Sequence, residues 1–98
     1  MMRMDKFLKA VGLVKRRSIA KLLCDAKRVK LNGRIAKAAS DVHVGDVIEI
    51  RWGERVVRAH VLKVPDGHIP KGMRNEYVRT SSEWLGFEEL EFEALSDE

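Results

Sequence analysis

The spacing of apolar residues changes period along the chain. Over residues 4–14, Met4, Phe7, Leu8 and Val11 recur at i, i+3, i+4 and i+7, the stripe of an amphipathic helix. Asp5 falls in its first turn, where a negative charge suits the helix dipole, and Gly12 ends it. Ile19, Leu22, Leu23 and Ala26 repeat that spacing and predict a second helix over 17–27, with Lys21, Asp25 and Arg28 on its polar face. From Val29 the period drops to two. Val29-Lys30-Leu31 and Arg34-Ile35-Ala36-Lys37 alternate on either side of Asn32-Gly33, whose tolerance of positive φ predicts a hairpin. Val44-Gly45-Asp46 reads as a turn into a strand over 47–52. Gly53-Glu54 turns into another over 55–64, with Val57, Ala59 and Val61 on one face. Pro65-Asp66-Gly67 stops that strand, and 65–76 reads as an irregular connection. Beyond it, Phe87, Leu90 and Ala94 keep a helical spacing that predicts a short helix.

These elements predict an α+β fold, with two N-terminal helices packed on a small, mostly antiparallel sheet. Residues 1–64 form the domain, and 65–98 form a connection and an acidic C-terminal extension. The expected core is Phe7, Leu8, Val11, Ile19, Leu22, Leu23, Val29, Leu31, Val47, Ile48 and Val61. A chain of 98 residues suits one such core.

Charge adds a partner class. The net charge of +4 hides an asymmetry: residues 1–37 hold twelve Lys/Arg against two acids, +10, and residues 38–98 hold seven against thirteen, −6. A half-chain at +10 is a field for polyanions. Lys15, Arg16 and Arg17 crowd the start of the second helix, where cations oppose the dipole; an anionic ligand explains that cluster better than folding does. The candidate RNA-binding set is Arg3, Lys6, Lys15, Arg16, Arg17, Lys21, Lys27, Arg28, Lys30, Arg34 and Lys37, with Asn32 at the hairpin tip. Phe7, the one aromatic of residues 1–37, lies on the apolar stripe, so base stacking is not the expected mode. Structured RNA gripped by shape and backbone fits better, although the charge pattern leaves DNA open. The plain alternative is a solvated basic face.

Other chemistries find little support. His43, His60 and His68 are scattered, and a single cysteine, Cys24, cannot build a structural zinc site. The seven glycines stand singly, with no phosphate-cradling loop. No enzyme, metal or cofactor is therefore expected. The absence of a long apolar run or an N-terminal signal pattern, together with one lone thiol, points to the cytoplasm. Residues 83–98 carry seven acids and no base, interleaved with Trp84, Phe87 and Phe92. This segment is either a cover for the sheet edge or a docking tail for a protein partner.

The order of four segments then gains meaning: Arg3-Met4-Asp5-Lys6-Phe7-Leu8, Lys15-Arg16-Arg17-Ser18-Ile19-Ala20, Val29-Lys30-Leu31-Asn32-Gly33 and Val44-Gly45-Asp46-Val47-Ile48. Together they resemble the RNA-binding domain named for ribosomal small-subunit protein S-four, a pair of helices followed by a β-hairpin. Among stand-alone members of that superfamily, the opening segment, the Val14-Lys15-Arg16-Arg17-Ser18 stretch and Tyr77 are most similar to the RqcP family of ribosome quality control factors. The heat-shock protein fifteen family is next most similar, but it carries a longer basic C-terminal extension where this chain is short and acidic. The resemblance implies binding between large-subunit rRNA and P-site tRNA on stalled subunits, with an RqcH-like factor as partner during untemplated alanine tailing. It matches Arg3 to the family arginine that touches rRNA and Arg17 to the one near the tRNA backbone, in a protein monomeric off the ribosome. A heat-shock-type stalled-subunit binder, a generic structured-RNA binder, a protein-interaction module using the acidic tail and an accessory domain of an RNA-modifying enzyme stand as alternatives.

Overall fold

The computed structural model describes residues 1–84 apart from His68 and Lys71, and only the backbone of residues 82–84. The expected C-terminal helix around Phe87, Leu90 and Ala94 lies outside the described residues. In chain order the elements are β1 (Met2–Arg3), α1 (Met4–Ala10), α2 (Arg17–Asp25), β2 (Val29–Leu31), β3 (Arg34–Ile35), β4 (Asp41–Val42), β5 (Val47–Trp52), β6 (Arg55–Val61), a single 3-10 turn (Arg74–Glu76) and β7 (Val78–Trp84). Strands β3-β2-β5-β6-β7 form one five-stranded sheet, and β1 pairs with β4 separately. Every pairing is antiparallel. The fold is α+β, as the periodicities require.

Both helices end in the same way. After α1, Gly12 takes φ +76, its N–H donates to the Lys9 carbonyl, and the Leu13 N–H reaches back to Leu8 at 2.9 Å. This is the Schellman closure, which satisfies carbonyls the helix leaves open. After α2 the equivalent place belongs to Lys27, at φ +62, with Lys27 N–H on Cys24 and Arg28 N–H on Leu23. At the other end of α1, the Met4 and Asp5 N–H groups donate to the carbonyls of Ser40 and Ala38. The first turn of α1 is thus stitched to the loop before β4, and β4 in turn pairs Val42 with Met2.

Asn32 and Gly33 both have positive φ, at +52 and +85, and they close the β2–β3 hairpin with Leu31 opposite Arg34. Strand β3 stops at Ile35, short of the expected Lys37, because the Lys37 N–H turns to the Ser40 hydroxyl. Strand β6 stops at Val61 rather than Val64, since the N–H groups of Leu62 and Lys63 both converge on the Tyr77 carbonyl. Past Val64 the chain returns to the sheet. Strand β7 pairs with β6 from Val61↔Val78 to Arg55↔Trp84 and supplies the fifth strand.

The core lies between the helix pair and the sheet. Phe7, Leu8, Val11, Leu23, Val29, Ile48 and Val61 are buried as expected, joined by Met4, Val14, Ala20, Cys24, Val42, Ile50 and Ala59. Each large aliphatic or aromatic chain so placed contributes about 1.5–3 kcal/mol. Three expected members, Ile19, Leu31 and Val47, are only half-buried. Leu22 does not belong to the core at all, being 63% exposed. Helix α2 turns Ala20, Leu23 and Cys24 inward, and Leu22 then stands roughly 100° around the helix from Leu23 and roughly 200° from Ala20. The periodicity located the helix, but its rotation is set by packing against α1.

Candidate nucleic-acid interface

All eleven cations of the expected set, and Lys9, are exposed. The structure brings some of them together through a buried acid. Asp5 is only 3% exposed, the one buried charged residue among those described. Its Oδ1 accepts from the Lys6 N–H at 2.8 Å and from Arg3 Nε at 3.2 Å, and its Oδ2 accepts from Arg3 Nη2 at 3.4 Å. Arg17, at the first position of α2, places its Nε 3.3 Å from the same Oδ2. Burial pulls the Asp5 carboxyl pKa upward, but the hydrogen bonds from Arg3, Arg17 and Lys6 outweigh it and hold the group below its ordinary value. Asp5 is therefore an anion at neutral pH. Both arginine side chains remain half exposed, at 50% and 51%.

Arg3, Lys6 and Arg17 line a cleft of about 440 Å³, whose remaining walls are Met1, Met2, Val64, Pro65 and Asp66. A neighbouring cleft of about 510 Å³ shares Lys6 and Arg17 and adds Lys9, Ala10, Gly67 and Ile69. The two clefts make a cationic groove, with the α1 and α2 side charged and the chain after β6 supplying Val64, Pro65 and Ile69. An arginine fork meets phosphate oxygens in a geometry that lysine cannot copy. A groove of this kind suits a sugar-phosphate backbone with apolar contact along one edge.

The remaining expected residues are placed elsewhere. Lys15 and Arg16 lie before α2, with Arg16 as its N-cap residue, and Lys21 stands on the exposed side of that helix. Lys27 and Arg28 form the turn after α2, while Lys30, Arg34 and Lys37 stand on or beside the β2–β3 hairpin. Neither cleft includes them. Asn32 has its amide engaged within the protein: Oδ1 accepts from the Val47 N–H at 2.9 Å, and Nδ2 donates to Asp46 at 3.0 Å. Two parts of the site escaped sequence reasoning, namely Asp5, read only as a helix-dipole partner, and the wall of Val64, Pro65, Asp66, Gly67 and Ile69, read only as a connection. The signal for Asp5 was a lone acid among the cations of residues 1–17.

Burial and the nearby Asp5 and Asp25 carboxylates push the Cys24 thiol up to about 11, so it stays a neutral, buried filler. Among the described residues no cluster of His, Cys, Asp and Glu could hold a metal ion, and no helix is long and apolar enough to cross a membrane.

The model of the "S4 domain" family matches residues 2–48, which span both helices, the hairpin and the start of β5. The RQC P-site tRNA stabilizing factor of Bacillus subtilis is 41% identical over 85 residues, covering 87% of this chain and 99% of the relative. That of Helicobacter pylori strain 26695 is 44% identical over 78 residues, covering 79% of this chain and 93% of the relative. Among solved structures, heat shock protein 15 of Vibrio cholerae superposes with a TM-score of 0.74 at 28% identity, over 82% of this chain and 81% of that one. The chain belongs to the S4-domain family of RQC P-site tRNA stabilizing factors.

Proposed function

We propose that this protein is a non-catalytic ribosome quality control factor. It binds large-subunit rRNA and P-site peptidyl-tRNA on obstructed large subunits, in the cytoplasm, as a monomer when off the ribosome. Holding that tRNA in place would let an RqcH-like partner add an untemplated alanine tail to the nascent chain. The observation that carries this reading is the convergence of Arg3 and Arg17 on Asp5, with both guanidinium groups exposed at one cleft beside Lys6. In this reading Arg3 meets rRNA and Arg17 meets the tRNA backbone. Lys6, Lys15, Arg16, Lys21, Lys27, Arg28, Lys30, Arg34 and Lys37 supply further phosphate contacts, and Asn32 holds the hairpin that presents some of them. The names of the relatives support the role.

Co-sedimentation with purified large subunits, prepared with and without peptidyl-tRNA, tests the proposal. Subunits holding P-site tRNA should retain more protein, and log affinity should fall linearly with log salt, by about 0.7–0.9 per phosphate contacted. Equal retention on both preparations would reduce the protein to a generic structured-RNA binder. Binding that is flat in salt would contradict the electrostatic account altogether.

A further inference from the structure

An acid in the middle of a cationic RNA-facing surface is unfavourable for binding if only net charge matters. Asp5 sits there nonetheless, buried, ionised, and bonded to two arginines that come from different elements. Arg3 is the last residue of β1 and Arg17 the first of α2. An exposed arginine samples many rotamers, and binding must immobilise it at a cost in entropy. Both Nε atoms point at the one carboxylate, and the two guanidinium groups keep donors available to solvent, since each has five. Both Arg3 and Arg17 also line the same cleft.

We infer that Asp5 is a positioning residue for RNA binding: it fixes the forks of Arg3 and Arg17 in one relative orientation before RNA arrives. The inference rests on the reading of the cleft as the RNA site. Asp5 touches no RNA itself. Its negative charge lowers the long-range attraction for RNA, and the ordering of two arginines more than offsets that loss.

The substitution Asp5→Asn separates the two effects, because it raises the net charge by one and removes one of the two acceptor oxygens. The remaining oxygen can still accept from the Lys6 N–H, so the start of α1 keeps that bond. The expected result in co-sedimentation with large subunits holding peptidyl-tRNA is a roughly three- to tenfold weaker affinity, the ordering cost of one or two freed long side chains. In an Arg3→Ala, Arg17→Ala background the same substitution should cause no loss. Unchanged or tighter binding by the single variant would overturn the inference. So would an equal loss in the background without the arginines, which would show a purely structural defect. Nitrogen-15 NMR of the arginine Nε–H groups gives a readout independent of RNA. In the free wild-type protein Arg3 and Arg17 should show slowly exchanging Nε–H signals, lost for Arg17 in Asp5→Asn. Rapid exchange at both in the wild type would overturn the positioning role. Wild-type protein that fails to sediment with subunits while keeping slow exchange would instead count against the ribosomal reading alone.

Discussion

The Asn32 carboxamide is bonded to the Asp46 carboxylate at 3.0 Å and thereby ties the tip of the β2–β3 hairpin to the turn that starts β5. The same side chain accepts the Val47 N–H, while Asp46 Oδ2 accepts the His43 N–H at 2.7 Å. The Asn-Gly and Gly-Asp pairs, distant in sequence, are thus two halves of one junction. Asn32→Ala should cost about 1–3 kcal/mol, from two net hydrogen bonds and a left-handed backbone that alanine resists. Asn32→Gly should recover the backbone part alone. Urea unfolding measures both, and the slope of RNA affinity against salt should not change in either variant.

The rotation of α2 makes two adjacent leucines unequal. Leu23→Ala removes a buried side chain and should cost about 2–5 kcal/mol. Leu22→Ala, on the solvent side, should stay within about 0.5 kcal/mol of wild type. Equal costs in chemical denaturation would mean that the helix is rotated otherwise.

Lys27 occupies a left-handed position where glycine is the usual choice. Lys27→Gly should therefore stabilise the protein by about 1 kcal/mol in thermal unfolding. It should also weaken subunit binding slightly and reduce the salt slope by about one if Lys27 meets a phosphate. A variant both more stable and less well bound would show that the lysine is retained for its charge.

Asp5 links stability to acid. Its carboxyl pKa is lowered in the folded protein relative to an ordinary carboxylate near 3.8. A depressed carboxyl pKa gives stability that is present above the unfolded value and lost as pH falls through the folded one. Wild-type stability should accordingly decline below about pH 4, and Asp5→Asn should remove that part of the decline. Cys24→Ser should leave subunit binding intact, since the thiol lies in the core away from solvent.

The sequence was most legible where local chemistry decides structure. Asn32-Gly33 needs positive φ, Gly12 closes α1, and residues 47–52 form the expected strand, although Ile50 rather than Val47 joins Ile48 in the core. It was least legible where distant elements decide. The outward turn of Leu22 depends on α1, the early end of β6 on the Tyr77 carbonyl, and the inclusion of Val78–Trp84 in the sheet on pairing with β6. In the site, positive charge and exposure followed directly from composition. The meeting of Arg3 and Arg17 did not, because it requires β1 and the start of α2 to lie on either side of Asp5. Asn32 has a second role that the sequence did not show: at the exposed hairpin tip its amide also bonds Asp46 and Val47.

The central claim is that a placed pair of arginines, rather than overall charge, holds the protein on the stalled subunit. Four single variants decide it: Arg3→Ala, Arg17→Ala, Lys63→Ala and Arg79→Ala, each removing one positive charge. Lys63 and Arg79 lie outside the clefts, Lys63 over the Tyr77 ring and Arg79 on β7. Co-sedimentation with large subunits, with and without peptidyl-tRNA, should show Arg3→Ala weakened on both and Arg17→Ala stripped of most of its preference for subunits holding tRNA, only partly rescued by Arg17→Lys. Lys63→Ala and Arg79→Ala should stay close to wild type. Equal losses at all four positions would contradict the account and leave net charge as the sole basis of binding.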